Sequence, residues 1–360
     1  MKIRDVRTTR LSMPLQEPLA DSTHTLPSID WILVDIHTNN GLTGHAHMLT
    51  FDYGQELLMG IVDHELKDVI MGMDPTQIEK VWQACWNRVE YIGQTGVAAW
   101  GIAAIDIALW DILGKSLDCP VHKLLGAYQE EVPIYGSGGW LSYSLDQLVQ
   151  EARNYVKRGF TAVKMKVGSR QPERDAERVR AVREAIGPKI QLMVDANQAW
   201  SPWQALEFSR KVEDCDIFWF EEPIPKDDLD GYEMLAGRLR CPVAAGEREY
   251  SLQVFRQLLE RRALPIVQPD VLRLGGISRC IRLAHLAETF NARVASHFYK
   301  EIDIHWMAAI PNGLFLEYFP WLEPLLIHPL KIINGMAKLP TQPGLSIEIQ
   351  PEALQEYKVT

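Results

Sequence analysis

Four short runs, VPIYGS (132–137), TAVKMKV (161–167), IQLMVDA (190–196) and IFWFEEP (217–223), decide the fold of this chain. Each is rich in apolar and β-branched residues, and helix-length segments separate them. The same rhythm continues through CPVAAGE (241–247), LPIVQPD (264–270), ARVASH (292–297) and LFLEYF (314–319). Apolar strands that alternate with helices indicate parallel βαβ units buried on both faces. Eight such units within residues 132–319 predict a closed (β/α) barrel.

A doubly wound parallel sheet is the alternative arrangement of such units. It usually has fewer strands and carries a GxGxxG fingerprint after the first one. The glycines of GSGG (136–139), which follow the first run, lack that spacing. We therefore predict an α/β fold of the TIM-barrel type.

The N-terminal third of the chain has a different pattern. It contains predicted strands at residues 3–15 and 31–36 and predicted helices at 53–70, 75–89 and 96–115. The turn dipeptide formed by Asn40 and Gly41 indicates a hairpin after the second strand. Together these elements predict a small α+β unit.

Three segments follow from these patterns. We predict an α+β capping domain over residues 1–125, a catalytic barrel over 126–323 and a tail over 324–360. The tail contains GLSIEI (344–349), a predicted strand that returns to the N-terminal unit.

The net charge bears on the partners of the protein. The 360 residues carry a formal net charge of -10, which would repel phosphate backbones and anionic membrane surfaces. We expect neither nucleic acid nor a membrane as a partner. An anionic substrate would also be repelled, unless a bound cation reverses the field locally.

Cysteine usage and the N-terminus indicate the compartment. The five cysteines are scattered and form no CxxC pair, which argues against a disulfide framework or a zinc knuckle. Residues 1–10 contain no apolar stretch that resembles a signal peptide, so we expect a cytoplasmic protein. The most apolar segment, residues 97–113, contains Asp106 and Asp111 and is predicted as a buried helix.

Ionisable residues stand at or near the ends of the predicted barrel strands, where the active sites of such barrels lie. In chain order, from the second strand onward, they are Lys164 and Lys166, Asp195, Glu221 and Glu222, Glu247, Asp270, His297, and Glu317. Their convergence at one edge predicts an active site.

Three of these acids recur at an even spacing. Asp195, Glu221 and Glu247 are 26 residues apart, close to one βα unit of a barrel, so their side chains are expected to converge. Two unit charges about 4 Å apart repel by roughly 4 kcal/mol at an effective dielectric of 20, so the cluster needs protonation or a cation. Oxygen ligands without cysteine or histidine favour Mg²⁺ over Zn²⁺.

Candidate proton-transfer groups accompany the acids. Lys164 and Lys166 are two apart on a strand and point to one face, and burial with mutual repulsion is expected to lower the pKa of a lysine toward that of a general base. His297 is expected to pair with Asp270 from the neighbouring strand as an acid/base dyad. Glu317 is left with two roles: a protonated hydrogen-bond donor to a substrate oxyanion, or the partner of a cation.

These residues lie in strings that resemble the barrel-strand signatures of the enolase superfamily. In family order they are VKMKVG, MVDANQAW, FEEP, AAGE, QPD, GGIS, ASHFYKEIDIH and LEYF, spread over residues 163–319. The pairing of Asp270 with His297 resembles the mandelate racemase group in particular. LEYFPWLEPLL (316–326) and DANQAW (195–200) are similar to talarate/galactarate-type dehydratases.

The resemblance implies a role for each ionisable residue. Mg²⁺ would be bound by Asp195, Glu221 and Glu247. Protons would be transferred by Lys166 on one face of the substrate and by the dyad of Asp270 and His297 on the other. An enolate would be stabilised by Lys164, and a substrate carboxylate oxygen would lie beside Glu317. The cap would close over the barrel mouth, and a symmetric homo-oligomer is expected.

Specificity is expected to reside in the cap loops. Asp21, Ser22, Thr23 and His24 suit a polyol chain, whereas Leu26, Met48, Leu49 and Phe51 suit an aryl group, and both interpretations stay open. Candidate substrate-binding residues are Asp21, His24, Asn197 and Glu222. Lys300 and Arg248 are further candidates for contact with distal substrate groups, or else surface salt-bridge partners.

The sequence favours one reaction over two alternatives. The favoured reaction is Mg²⁺-dependent removal of the α-proton of a small hydroxy-carboxylate, followed by dehydration of an acid sugar to a 2-keto-3-deoxy acid. The first alternative is a racemase or epimerase of a 2-hydroxy acid. The second is a catalytically silent member of the family that binds a metabolite.

Overall fold

The computed structural model describes residues 1–359, which begin with a three-stranded antiparallel sheet. Its strands are β1 (Ile3–Ala20), β2 (Thr25–Thr38) and β3 (Thr43–Thr50), in that order. Asn40 and Gly41 form the turn between β2 and β3, and Gly41 has a φ of 89°, which residues with a Cβ rarely adopt. The predicted hairpin is confirmed.

Helices cover this sheet and complete the cap. They are α1 (Gln55–Gly60), α2 (Lys67–Ile70), α3 (Ile78–Arg88), α4 (Val97–Ser116) and α5 (Val121–Leu124), with a π-helical turn (Ile61–Leu66) that joins α1 to α2. Helix α4 is long and apolar enough to cross a membrane by length and composition alone, yet 78% of its apolar window is buried inside the protein. It is a core helix, as its two aspartates predicted.

A closed parallel barrel follows the cap, and all eight predicted strands are present. They are β4 (Glu131–Gly138), β5 (Ala162–Lys166), β6 (Gln191–Asp195), β7 (Ile217–Glu221), β8 (Val243–Ala245), β9 (Ile266–Val267), β10 (Arg293–Ala295) and β11 (Gly313–Tyr318). β11 pairs with β4 and closes the barrel. The surrounding helices are α6 (Leu145–Lys157), α7 (Pro172–Ile186), α8 (Pro202–Lys211), α9 (Leu229–Ala236), α10 (Leu252–Glu260), α11 (Val271–Leu274), α12 (Ile277–Thr289) and α13 (Lys300–Met307), with a short 3-10 turn at Glu213–Cys215.

Aromatic side chains fill the barrel interior. Tyr135, Trp219 and Phe315 are buried in one apolar cluster, and their rings meet edge to face at centroid distances of 5.3 to 6.1 Å. A filled barrel is a packed core and not a pore. A substrate therefore has access only to the mouth.

Strand register sets the geometry at the carboxyl end of the barrel. Lys166 of β5 lies opposite Asp195 of β6, and Asp195 lies opposite Glu221 of β7. Three ionisable residues are thus neighbours across adjacent strands, which places a charged row at the mouth.

The cap is attached to the barrel at a glycine pair in front of α12. Asp106 of α4 accepts hydrogen bonds from the backbone N and the Oγ of Ser278, at 3.1 and 2.6 Å. Trp82 Nε1 donates to the carbonyl oxygen of Gly275 at 2.8 Å. Gly276 has a φ of 106°, and a Cβ there would lie 2.3 Å from Oδ2 of Asp106. This joint holds α4 against the barrel.

The tail differs in part from its prediction. It contains a 3-10 turn (Glu323–Leu325), β12 (Ile332–Ile333), β13 (Met336–Lys338) and α14 (Pro351–Tyr357). β13 pairs with β4 of the barrel, and α14 lies near β1 of the cap, where Leu11 bridges Lys358. GLSIEI (344–349) forms only isolated bridges at Gly344 and Ile349, so the strand predicted there is wrong.

Side-chain contacts explain why GLSIEI stays irregular. Oδ1 of Asp111 on α4 accepts a hydrogen bond from the backbone N of Leu345 at 2.7 Å, so this segment bonds to a helix side chain and not to a strand at Leu345. The domain boundaries after residues 125 and 323 stay a prediction. The first falls in the segment between α5 and β4, and the second at the 3-10 turn.

Candidate active site

Three carboxylates meet at the carboxyl ends of β6, β7 and β8. Asp195 and Glu221 end their strands, and Glu247 follows β8 by two residues. One oxygen of each lies within 4.8 Å of the others, and all three residues are buried. Ligands that bind one Mg²⁺ at 2.0–2.1 Å are at most about 4.2 Å apart, so small side-chain rotations bring this set onto one ion. The all-oxygen cluster, here called the acid triad, fits a magnesium ion.

Glu221 is the most firmly held member of the acid triad. Its Oε2 accepts hydrogen bonds from Trp219 Nε1 at 3.0 Å and from Gln268 Nε2 at 2.9 Å, and its Oε1 contacts Lys164. Sequence reasoning missed Gln268, although its place just before Pro269 and Asp270 at a strand end was the available signal. These donors fix the carboxylate before any ligand arrives.

Burial makes the charge of the acid triad costly. It raises the pKa of Glu221 to about 8, even though Lys164 acts in the opposite direction. Burial would also raise the pKa of Glu247, but His297 and Arg248 reverse this and lower it. A carboxylate whose charged form is disfavoured in this way gains from a bound cation.

The turns that leave the strands carry backbone strain. Asn197 after β6, Glu222 after β7 and Phe298 after β10 have φ values of 43°, 37° and 66°. Non-glycine residues adopt this left-handed region at an energetic cost, and such residues concentrate at functional sites. The strain lies where the chain must turn sharply to aim the strand-end acids into the mouth.

The two strand-five lysines have different surroundings. Lys166 lines the cavity at the barrel mouth, with Nζ 2.5 Å from Oδ2 of Asp195. Lys164 is enclosed by carboxylates, at 2.7 Å from Glu317 and 3.7 Å from Asp195. The ammonium group of Lys164 faces these acids and not the cavity. The expected stabilisation of an enolate by Lys164 therefore stays a prediction.

The expected lowering of the lysine pKa values is wrong for this structure. Burial on its own would lower the pKa of Lys166, but the carboxylate of Asp195 raises it above its ordinary value. Burial likewise acts against Lys164, and Glu221 and Glu317 raise its pKa well above the usual range. The surrounding acids outweigh both burial and the mutual repulsion of the two lysines.

His297 and Asp270 form the expected pair. Nδ1 of His297 lies 2.7 Å from Oδ2 of Asp270, while its Nε2 lies 3.4 Å from Oε2 of Glu247. Burial would lower the pKa of His297, but Glu247 and Asp270 raise it to about 9. Oδ1 of Asp270 accepts from the backbone N of Leu272 and of Arg273, both at 2.9 Å, which fixes the carboxylate at the start of α11.

Glu317 is anchored on both oxygens. Oε1 accepts from Ser137 Oγ at 2.7 Å and lies 2.7 Å from Lys164 Nζ, and Oε2 accepts from the backbone N of Phe298 at 2.9 Å. Burial would raise its pKa, but Lys164 and His297 lower it to about 2. Of the two roles left open by the sequence, the structure favours an ionised partner of a cation.

A cavity of about 410 Å³ connects these groups to the cap. Of the predicted substrate-binding residues, Asp21, His24 and Asn197 line it. Glu222 does not: its Oε1 accepts from Gln198 and its Oε2 lies 3.1 Å from Arg248 Nε, so it is oriented away from the cavity. The expected contact of Glu222 with the substrate is therefore not observed, and Glu222 instead contacts Arg248, which does line the cavity.

The other residues considered for substrate contact also divide into those that line the cavity and those that do not. Leu26, Leu49 and Phe51 line the cavity, whereas Met48 is buried away from it. Lys300 does not line the cavity: of the two alternatives for it, a salt bridge is observed, with Glu301 at 2.5 Å, although it is buried and not on the surface. Ser22 and Thr23 do not line the cavity either. Ser22 Oγ donates to the carbonyl oxygen of Ala196, and Thr23 Oγ1 donates to Oδ1 of Asp21.

Comparison with protein families gives this geometry a context. Residues 3–126 match the mandelate racemase/muconate lactonizing enzyme N-terminal domain, and residues 147–353 match the enolase C-terminal domain-like family. The chain belongs to this family. It is a mandelate racemase-like member of the enolase superfamily, as the strand-end strings predicted.

Known members of this family are similar over nearly the whole chain. The protein is 34% identical to 3,6-anhydro-alpha-L-galactonate cycloisomerase of Streptomyces coelicolor, covering 99% of each chain. It is 34% identical to L-talarate/galactarate dehydratase of Salmonella typhimurium, covering 100% of this chain and 92% of the relative. The crystal structure of a racemase from Streptomyces coelicolor with bound magnesium has a TM-score of 0.95 at 34% identity, covering 99% of this chain and 100% of that one.

Proposed function

We propose that this protein is a Mg²⁺-dependent acid-sugar dehydratase that converts a 2,3-dihydroxy carboxylate to a 2-keto-3-deoxy acid. One observation carries the proposal: two proton-transfer groups flank the acid triad from opposite sides. Lys166 lies beside Asp195, and His297 lies beside Glu247, and both line one cavity. Asn197 lines the same cavity, and its side-chain amide can supply a polar contact to the carboxylate end of a substrate.

Magnesium fits the site because three buried carboxylates converge there with oxygen donors alone. Asp195, Glu221 and Glu247 would hold the ion. When bound, it would supply the positive charge that stabilises a carboxylate carrying a second negative charge. Magnesium-bound relatives in this family support the assignment.

The chain's own residues account for the proton transfers. Lys166 Nζ accepts the proton from C2 of the substrate after losing its own; a cation held by Asp195 would offset the effect by which that carboxylate raises the pKa of Lys166. Nδ1 of His297 is held by Asp270, so Nε2 faces the cavity and donates its proton to the 3-hydroxyl as the C3–O bond breaks and water leaves. The electron pair of the C2–H bond forms the C2–C3 double bond, and the enol rearranges to the 2-keto acid.

Two features favour dehydration over racemisation. His297 is placed to act as an acid, because Asp270 holds its Nδ1 at 2.7 Å while the ring lines the cavity, where it can protonate a 3-hydroxyl so that water leaves. The dehydratase from Salmonella typhimurium is among the most similar relatives. Racemisation remains the second candidate, because groups on both faces can also return a proton to C2.

One assay separates these functions. The protein is incubated with Mg²⁺ and a panel of aldonates and aldarates, and 2-keto acids are detected with semicarbazide, with EDTA as the control. We expect a 2-keto product that EDTA abolishes. Exchange of the α-hydrogen in D₂O without a 2-keto product would establish the racemase instead. Silence in both assays, with Mg²⁺ bound, would contradict enzymatic function.

We also propose that the protein acts as a symmetric homo-oligomer in the cytoplasm. Support for assembly comes from two apolar side chains exposed on the cap outside the cavity, Tyr91 at 96% and Ile92 at 65% exposure. The five cysteines are free thiols, which a reducing compartment preserves. Light scattering at several concentrations tests the assembly, and a monomer throughout would contradict it.

A further inference from the structure

The cavity has walls of two chemical kinds. The reacting groups occupy one part, and stacked aromatic rings form much of the rest. Trp140, Phe319 and Trp321 line the cavity, with Phe319 and Trp321 stacked at 4.5 Å and Trp140 and Trp321 at 5.8 Å between centroids. This aromatic wall begins beside the base, since Nζ of Lys166 lies 5.6 Å from the Trp140 ring centroid.

The cap contributes hydrocarbon to the same cavity. Leu26, Leu49, Phe51, Leu57 and Trp100 all line it. They come from β2, from β3 and the segment after it, and from α1 and α4, so apolar side chains from four parts of the cap face the mouth beside the polar Asp21 and His24.

The cations that line the cavity already have anionic partners. Lys166 contacts Asp195, His297 contacts Asp270, and both belong to the reacting end. Arg248 Nε lies 3.1 Å from Glu222, and His24 Nδ1 lies 3.1 Å from Asp21. A second substrate carboxylate would therefore find no unpaired cation among them.

Arg273 is the remaining cation in the cavity wall, and its guanidinium group also has partners within the protein. Its Nη1 donates to the carbonyl oxygen of Glu247 at 2.9 Å and lies 3.9 Å from Oδ2 of Asp270. Its guanidinium group lies over the Trp100 ring, 5.5 Å from the centroid. Pairing with a substrate would require it to leave these contacts.

We infer that the substrate is a monocarboxylate whose end remote from the carboxylate is apolar, such as a methyl-terminated or aryl-terminated hydroxy acid. This inference rests on the proposed function and narrows its substrate class. An anionic terminus would lose hydration against aromatic walls without gaining a charge partner. An apolar terminus gains the free energy of its own burial there.

A matched pair of stable ligands tests this directly. 2-Hydroxyhexanoate and 2-hydroxyadipate have the same carbon chain and differ only in a terminal methyl or carboxylate, and neither has a 3-hydroxyl to eliminate. Calorimetry in saturating Mg²⁺ is expected to give at least about tenfold tighter binding of 2-hydroxyhexanoate. Equal or tighter binding of 2-hydroxyadipate would overturn the inference. 2-Hydroxy-4-phenylbutanoate distinguishes an aryl from a methyl terminus.

A variant that supplies the missing cation sharpens the test. Phe51→Arg places a guanidinium group in the cavity wall and is expected to shift the affinity ratio toward 2-hydroxyadipate by about tenfold or more. Leu117→Arg is the control, because Leu117 is 58% exposed on the cap and lies outside the cavity. If Phe51→Arg does not fold, Leu57→Arg serves instead, since Leu57 lines the cavity and is 65% exposed. An unchanged ratio in a folded variant would count against the inference.

Failure of this inference is distinguishable from failure of the proposed function. The binding ratio does not depend on elimination, so a protein that forms no 2-keto acid still reports its preference for the terminus. Conversely, an active dehydratase that prefers diacids would overturn the substrate class and leave the dehydratase proposal intact.

Discussion

At the scale of single residues, two lysines on one strand face differ in what they touch. The side chain of Lys164 is 1% exposed and is surrounded by Glu221 and Glu317, whereas that of Lys166 is 8% exposed and borders the cavity. Spacing alone cannot separate them, because residues two apart on a strand share a face. Their different depths in the barrel explain why Lys166, and not Lys164, lines the cavity.

Substitutions of the two proton-transfer groups are expected to have different signatures. Lys166→Ala removes the base and is expected to lower both α-hydrogen exchange and dehydration by about 10²–10⁴-fold. His297→Asn removes the acid and is expected to lower dehydration by a similar factor while exchange at C2 persists. Proton NMR in D₂O and the semicarbazide assay measure the two rates.

Lys189→Ala serves as the control for these substitutions, because Lys189 is an exposed lysine outside the site. Equal loss of exchange in His297→Asn and Lys166→Ala would show that the two groups do not act in separate steps. That result would contradict the assignment of base and acid.

At the scale of elements, the contact between α4 and α12 requires a glycine at position 276, because no space is left there for a Cβ. Gly276→Ala would place a Cβ 2.3 Å from Asp106 and is expected to lower the free energy of unfolding by about 2–5 kcal/mol, from backbone strain plus overpacking. Chemical denaturation followed by tryptophan fluorescence measures the change.

The control for this substitution is another glycine with a similar backbone. Gly187 has φ 75° and ψ 174°, against φ 106° and ψ 179° for Gly276, but a Cβ added at Gly187 would meet no atom within 4 Å. Gly187→Ala is therefore expected to cost only the backbone strain, about 1–2 kcal/mol. Equal losses for both variants would show that contact with Asp106 is unimportant.

A buried histidine connects α13 to two other segments. His305 Nδ1 accepts from the backbone N of His122 at 3.2 Å, and Nε2 donates to the carbonyl oxygen of Leu345 at 3.1 Å. Burial lowers its pKa to about 3, while an unfolded chain has the ordinary value near 6.5. Below pH 6.5 the unfolded chain binds a proton that the folded chain does not, so stability is lost as pH falls from 6.5 toward 3.

The corresponding prediction concerns the slope of stability with pH. His305→Gln removes this titration, so its free energy of unfolding is expected to fall less steeply between pH 6.5 and 4.5, by up to about 1.4 kcal/mol per pH unit. Urea denaturation of wild type and variant at both pH values gives the difference. Parallel slopes would contradict the assigned pKa.

At the scale of the whole molecule, magnesium is expected to couple to folding. An ion that binds only the folded acid triad stabilises the protein by about 2.7 kcal/mol at 100 times its Kd, so Tm is expected to rise with Mg²⁺ and fall with EDTA. Asp195→Asn is expected to weaken this response without removing the fold. A Tm that rises equally in wild type and Asp195→Asn would place the effect elsewhere.

The sequence by itself determined the barrel and the meeting of the ionisable strand-end residues at its mouth. Strand-end acids such as Asp195 and Glu247, and the pair formed by Asp270 and His297, were predictable because parallel strands of a barrel all end at one edge. The hairpin at Asn40 and Gly41 was predictable because its turn chemistry is local. These features depend on periodicity and on neighbours along the chain.

Only the tertiary structure decided the features that depend on contacts between distant segments. GLSIEI (344–349) has strand-like composition, but Asp111 takes its backbone hydrogen bond at Leu345 and the segment forms only isolated bridges. Lys166 kept a raised pKa because Asp195 lies 2.5 Å away, and Glu222 turned toward Gln198 and Arg248. Side-chain direction, ion pairing and the apolar character of the cavity depend on contacts between the cap and the barrel. These contacts join residues far apart in the sequence, so no local sequence pattern predicts them.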